Sequence, residues 1–400
     1  EVVGRRPDGE AEVTVTGTEA VRAFLDDRHI ELATRVRAFA ETEIAPRPEP
    51  HDDDAGRREA RSFAELLGSE GWLEPIGAQD LRACCLIRES LASASPLADA
   101  IFALQALGGT PLLLSGAGPG TPAWDWLARM LEGGAIGAFA MTEPEAGSDV
   151  ASLATRAVKR GDAWVLDGQK SFISNAGLAD VYTVFASTDP DAGTRGISCF
   201  LVPADAEGLR FIGPQIMSEP HPLGEIAFEQ CALPADHLIG EPGQGFKLGM
   251  MTLDRLRPTV AAAACGMAAR ALDEALDHST QREQFGQKLA EFQLIQEKLG
   301  RMAIDLAAAR LLTYRAAWEK DGGADRITLE ASMAKAFATE AAQRIVDDAV
   351  QILGGRGVLA ESSVDRLYRA VRALRIYEGT TEIQHLIIAR QLLEAHGSPG

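Results

Sequence analysis

Gly355-Arg356-Gly357-Val358-Leu359-Ala360 has the G-x-G-x-x-A spacing of a dinucleotide-binding turn, and Glu378 falls near the distance at which such a turn places its ribose-binding acid. On that reading the fold would be a doubly wound sheet. A dinucleotide turn, however, follows a strand and opens a helix. Here Ile345, Val346, Ala349, Val350 and Leu353 recur at helical spacing before the glycines, and no strand follows in βαβ order. The glycines close a helix, so the Rossmann reading is rejected. A glycine cluster in that place still lets backbone N–H groups approach a phosphate, with a plain helix C-cap at Gly354-Gly355 as the alternative.

Upstream, long amphipathic segments at roughly 246–280, 292–318 and 328–353 are joined by short polar breaks, and shorter ones continue to Glu394, as in an antiparallel bundle. Before Gly243-Gln244-Gly245 the texture is different. From Gly134, short apolar runs such as Trp164-Val165-Leu166, 181–185, 197–202 and 225–228 are separated by Gly, Asp and Pro, which predicts a β domain. Between Thr18 and about Met130 the pattern is helical again: Leu32, Val36 and Phe39 share a face, 46–54 is a Pro/Asp-rich break, 83–114 is helical, and 116–122 is a loop before 124–131. The expected division is a tail at 1–17, a helical domain at 18–133, a β domain at 134–244 and a helical bundle at 245–400. This α, β, α order gives an α+β fold class and excludes alternating βαβ units.

At 400 residues, 46% apolar and 24% charged, the chain has enough length for roughly two or three domains and a large core. A net charge of −19 argues against nucleic acid as the main ligand, because phosphate backbones need a basic face. The five cysteines, Cys84, Cys85, Cys199, Cys231 and Cys265, are odd in number and lack paired metal-ligand spacing; neither a disulfide framework nor a metal is expected, and a reducing cytoplasm fits. No apolar run reaches the roughly 18 residues of a membrane span, and 1–17 has neither the basic start nor the apolar block of a signal peptide.

Three segments offer chemistry. Tyr377-Glu378-Gly379-Thr380-Thr381-Glu382-Ile383-Gln384 places a carboxylate on a glycine joint ahead of a helix, where Thr381 and Gln384 are expected to form a capping box. The helix dipole favours an ionised Glu378 and burial opposes it, a tension that suits a catalytic base; an ordinary acid before a helix is the other reading. The stretch 140–149, Ala-Met-Thr-Glu-Pro-Glu-Ala-Gly-Ser-Asp, is a hydroxyl-bearing turn able to hydrogen-bond an anionic or heteroaromatic ligand, or a solvated connection. Thr280–Gly286 sets Arg282 and Phe285 at a bundle end, with an incidental loop cation as the alternative. Arg366, Arg369, Arg372 and Arg375, stepping by three, fan around a helix as a salt-bridged surface. The seven histidines have no metal spacing and no G-x-S-x-G accompanies them, which disfavours hydrolase chemistry.

Together these segments resemble the acyl-CoA dehydrogenase family over roughly residues 20–395. The family's first signature is similar to 140–149, its second to 351–357, and its base-bearing Tyr-Glu-Gly-Thr to 377–380. The resemblance implies an N-terminal helical domain, a middle β-barrel domain, a C-terminal four-helix bundle, and a homotetramer with one FAD per subunit. It implies that Met141, Thr142, Gly147, Ser148, Phe172 and Ser174 line the flavin of the same chain, that Arg282, Phe285, Gln351 and Gly355 reach a neighbouring subunit's FAD, and that Thr380 and Glu382 sit beside the cofactor's phosphates and ribose. Asp254 and Arg257 resemble the substrate-contacting and site-shaping pair.

The activity so implied is dehydrogenation of an acyl-CoA to the trans-2-enoyl thioester. Glu378 removes the α-proton, its N–H and the flavin ribityl hydroxyl hold the thioester oxygen, and flavin N5 accepts the β-hydride. Some relatives carry the base on the helix of 253–257, where this chain has Leu256, which cannot take a proton. Electron-transfer flavoprotein is the expected electron acceptor. The chain departs from the family with Phe172 where many members have Trp, Ala370 in place of an acid, and a different loop at 218–223 near the CoA entrance. A carrier-protein-bound acyl group, a flavin oxidase on the same fold, and a non-catalytic CoA- or FAD-binding oligomer are the alternatives.

Overall fold

The computed structural model describes residues 15–397, so residues 1–14 of the expected tail lie outside the described residues. The Val15 and Gly17 carbonyls accept hydrogen bonds from Arg310, and that of Thr16 accepts one from Arg37. The N-terminal helices are α1 (Asp27–Phe39), α2 (Asp53–Ser69), α3 (Glu74–Gly77), α4 (Leu81–Ala94), α5 (Pro96–Leu114) and α6 (Pro122–Leu131). The helical stretch 83–114 divides at Ser95, which leaves the helical region to cap α5 and puts Pro96 in its first turn, where a missing N–H costs nothing.

One expectation is corrected by α5. Its 19 residues have a mean hydropathy of 1.5 and are long and apolar enough to cross a membrane by length and composition. Asp99, Gln105 and Thr110 interrupt the run without lowering that mean below a spanning value. All three are buried, and α5 lies inside the fold between α4 and the sheet. Gln105 ties it there, donating to Met130 O and Ala135 O and accepting from Gly137 N.

The middle region holds β1 (Gly137–Ala140), β2 (Arg156–Arg160), β3 (Ala163–Ser174), β4 (Val181–Ser187), β5 (Ile197–Pro203), β6 (Leu209–Pro214), β7 (Leu223–Pro234) and β8 (Leu238–Ile239). The expected barrel is one eight-stranded mixed sheet in the order β6-β7-β3-β2-β4-β5-β8, with β1 parallel on β4 and with β6 and β8 as the path's two ends. Both faces of β4 are buried, so it reads as a continuous apolar run rather than an alternating one.

The C-terminal helices are α7 (Gly245–Gln281), α8 (Gln293–Asp321), α9 (Thr328–Leu353), α10 (Ser363–Leu374) and α11 (Thr381–Ala395), with a hairpin of β9 (Glu283–Gln284) and β10 (Gln287–Lys288) after α7. These match the helices that periodicity predicts, because each has a whole face to bury. α7 is the common wall. Its Ala261, Ala262, Ala263 and Ala264 are fully buried, and small side chains let α4 and α9 approach closely. At Gly266 a Cβ would lie 2.0 Å from the Glu89 carbonyl oxygen of α4, so that crossing requires glycine.

Candidate active site

Between α10 and α11, residues 375–380 form a tight loop closed by the Thr381 N–H donating to Arg375 O. The expected capping box does not form, and the cap falls one residue earlier. Thr380 is the N-cap, its hydroxyl accepting from Ile383 N at 3.3 Å. Thr381 instead turns inward and donates to Glu340 at 2.7 Å, while the buried Gln384 side chain reaches back to Glu378 O (3.3 Å) and Gly379 O (2.9 Å). A capping box uses a Gln near the helix start for its own cap; here tertiary burial claims that Gln for the loop.

Glu378 has a φ of 55°, a left-handed conformation that costs a non-glycine residue roughly 1–2 kcal/mol. It persists because the carbonyls on either side of the turn are held from three helices. Arg257 Nε of α7 donates to Glu378 O at 3.2 Å, Lys335 Nζ of α9 donates to Gly379 O at 2.5 Å, and Gln384 of α11 touches both. Gly379 follows at φ 92°, and a Cβ there would press on Gln384 Nε2 at 2.6 Å.

The Glu378 carboxylate faces inward. Its Oε2 is buried with no hydrogen-bond partner among the described residues. Burial pushes the carboxyl above its ordinary range, while the cations of Arg88, Lys335 and Arg257 pull it back and Asp99 adds to the push. Arg88 and Asp99 form a buried bidentate pair at 2.7 and 2.8 Å, with Thr259 as a further acceptor for Arg88 at 2.9 Å. Burial works against the Arg88 charge, but the Asp99 carboxylate more than restores it. Arg257 is locked by Asp254, itself bonded to Thr328 at 2.7 Å. Leu256, one residue away, is buried in the apolar core.

A second set comes from the sheet. Lys170 is fully buried and donates to Met141 O at 3.0 Å and Glu143 at 2.7 Å, while Glu143 accepts from the N–H groups of Ala154 and Thr155. This brace presents Thr142 half-buried and Gly147 and Ser148 exposed. Ser171 N donates to Thr142 O, which sets Phe172 beside the turn, 60% exposed and at φ 55°. Ser174 shares a 2.8 Å hydrogen bond with His221. The two sets meet along α7: a Cβ on Gly249 would strike the Met141 methyl, and Arg257 lies about 12 Å further along the helix axis.

A third set stands apart. Arg282, Phe285, Gln351 and Gly355 are all exposed, Phe285 to 96%. Arg282 and Arg356 both act on His278, which puts the two segments at one end of the bundle. From Lys335, Gln351 is about 24 Å down α9, so a single chain does not bring this set to Glu378. Thr380 is spent on its cap, and Glu382 is in the first turn of α11. Arg369 on α10 and Arg375 just past its end form salt bridges as expected: Arg369 grips Asp365, Glu219 and Ser218 O, and Arg375 grips Glu340. Residues 218–221 of the loop line a cavity of about 1200 Å³ with Ala45, residues 47–54, Arg366 and Arg369; Glu378 is not on its wall.

The sequence did not point to Arg88, Asp99, Lys335 or Lys170, and it gave Gln384 a capping role in place of its grip on the loop. The signal available was a lone charge inside an apolar helix or strand, as in Leu97-Ala98-Asp99-Ala100-Ile101, but the partner lies on another element.

The family model described as acyl-CoA dehydrogenase, middle domain, matches residues 138–231, and that described as acyl-CoA dehydrogenase, C-terminal domain, matches residues 243–393. The probable acyl-CoA dehydrogenase FadE25 of Mycobacterium tuberculosis is 39% identical over 379 residues, covering 92% of this chain and 96% of that protein. Butyryl-CoA dehydrogenase from Megasphaera elsdenii superposes with a TM-score of 0.85 at 33% identity, covering 92% of this chain and 99% of that one. Glutaryl-CoA dehydrogenase from Mycobacterium smegmatis in complex with FADH2 superposes at 0.84 with 28% identity, covering 93% and 96%. A buried carboxylate on a strained loop, an exposed aromatic turn on the sheet and these matches agree: the chain belongs to the acyl-CoA dehydrogenase family, and is a flavin-dependent oxidoreductase.

Proposed function

We propose that the chain dehydrogenates an acyl-CoA between Cα and Cβ, with FAD as cofactor and Glu378 as the base that takes the α-proton. The observation that carries this reading is the Glu378 carboxylate itself, buried, with one oxygen unpartnered and three cations around it. A C–H beside a thioester carbonyl is a very weak acid, so the charge that develops on the carbonyl oxygen must be met as the proton leaves. The Glu378 N–H donates to no acceptor among the described residues and is available for that oxygen. One such donor is worth roughly 10²–10³ in rate. Arg257, Lys335 and Gln384 fix its direction by gripping the adjoining carbonyls. Burial makes Glu378 a stronger base than a surface carboxylate, and the three cations work against that push without cancelling it.

The residues present fit a flavin. Phe172 offers a flat exposed ring beside Thr142, and at Gly147 a Cβ would meet nothing within 4 Å, which leaves backbone open to a ligand. Met141, Thr142, Gly147, Ser148, Phe172 and Ser174 would hold it, with Thr380 and Glu382 on the loop's far side. When bound, FAD supplies the acceptor for the β-hydride, so that the product is the trans-2-enoyl thioester. A homotetramer belongs to the same reading, since the solvent-facing Arg282, Phe285, Gln351 and Gly355 would complete a neighbour's cofactor site. Electron-transfer flavoprotein is the acceptor that this reading carries.

The test is anaerobic titration of the purified yellow protein with short, branched and aromatic acyl-CoAs. Wild type is expected to bleach with at least one, and Glu378→Gln to retain flavin while reduction slows by about 10³-fold or more, within the range of general-base contributions. Undiminished bleaching in that variant, or none in wild type, overturns the assignment.

A further inference from the structure

We propose that Lys335 is the positioning residue of the Glu378 loop, its buried ammonium gripping the Gly379 carbonyl from α9 and holding the carboxylate-bearing peptide in its inward, left-handed conformation. The proposal rests on the reading of Glu378 as the base. Lys335 is 0% exposed, and Ala331, Ser332, Ala334, Ala338 and Thr339 around it on α9 are buried too. An apolar side chain would fill that place without the several kcal/mol that burying an ammonium costs. What the amine does there is donate to Gly379 O at 2.5 Å. That uses one of its three N–H groups, and the Glu378 carboxylate is the charge that most favours the ammonium.

Arg257 and Gln384 also hold this loop, but neither duplicates Lys335. Arg257 reaches Glu378 O and not Gly379 O. Gln384 reaches both with a neutral amide that is itself on the helix the loop leads into. Among the described residues Lys335 is the one cation on the Gly379 carbonyl, and it comes from a helix independent of the loop. At the loop's other margin the same α9 holds Arg375 and Thr381 through Glu340. Removing the Lys335 amine leaves the left-handed turn with less to offset its strain.

The charges acting on Glu378 are Arg88 on α4, Asp99 on α5, Arg257 with Asp254 on α7 and Lys335 on α9, with the Tyr377 phenol adjacent, while Glu340 on α9 and Glu382 on α11 act on Lys335. Burial pushes Lys335 down to about 8, against the pull of Glu378. Its charge is therefore present at neutral pH and lost as pH rises through that value.

The experiment compares FAD-loaded wild type with Lys335→Met, which keeps length and removes the charge, by stopped-flow flavin reduction with the best acyl-CoA. The variant is expected to keep its flavin and a KM within about threefold. Its rate at saturation should fall about a hundredfold, the scale of a 1 Å misplacement of a reacting group. Its acidic pH limb should move up, because a cation near the carboxylate is gone. A saturating rate within twofold of wild type, or a loss that lies wholly in KM or in flavin content, overturns the proposal. Should Lys335→Met fail to fold, wild type still decides: its rate should decline as pH passes about 8, and a flat profile to pH ~9.5, still below the ordinary lysine value, overturns it. If no acyl-CoA bleaches wild type, the base assignment fails separately. The Glu378 carboxyl band, identified by its loss in Glu378→Gln, then reports by infrared titration: a midpoint raised in Lys335→Met supports the proposal, and an unchanged one overturns it.

Discussion

The two ends of α9 treat polar side chains in opposite ways. Near Lys335 the polar groups are buried and bonded to one another: Arg88 with Asp99, Arg257 with Asp254, Lys335 and Gln384 with the 378–379 carbonyls. About 24 Å away, Gln351 and Gly355 stand in solvent with Arg282 and Phe285. The first end is built within one chain: its ion pairs and carbonyl grips all come from that chain, and among the described residues Glu378 Oε2 is left open. The second end is left open, and a 96% exposed Phe285 on a left-handed residue gains little from its own chain. The contrast separates a site that the fold builds from a set that it leaves in solvent, where the proposed neighbouring subunit would act.

Breaking the first end should be expensive for the fold. Asp99→Ala strands a buried guanidinium and is expected to destabilise the protein by about 3–5 kcal/mol in denaturant unfolding; a loss under 1 kcal/mol would mean that Arg88 reaches water. Thr380→Ala removes the N-cap of α11 and should cost about 1 kcal/mol, with slower flavin reduction because Glu378 lies two residues before it. Equal reduction rates would detach the cap from the base. Phe285→Ala, at the open end, should change unfolding by no more than about 0.5 kcal/mol, yet lower flavin retained per chain on gel filtration. If it destabilises the chain and leaves flavin content alone, the division between the two ends is wrong.

Several parts of the fold were legible from the chain. The helical spacing of Ile345 to Leu353 excluded a Rossmann turn, and the long periodic faces placed α7, α8 and α9 to within about three residues. Short strands such as β1, β2 and β6 were not read, since four to six residues carry little periodicity. At the site, the acid on a glycine joint was visible at Glu378, but its cap was assigned one residue late. The reason is physical: Thr381 and Gln384 match a cap motif locally, and tertiary burial redirected both side chains.

What the sequence alone determined is what short-range interactions encode: helix faces, breaks, the α, β, α order, and one carboxylate before a helix. What only the tertiary structure decided is the chemistry of that carboxylate, because the groups that set it, Arg88, Asp99, Arg257 and Lys335, come from four different helices. Charge acts across space in a desolvated interior, and position along the chain does not specify which buried charges will meet.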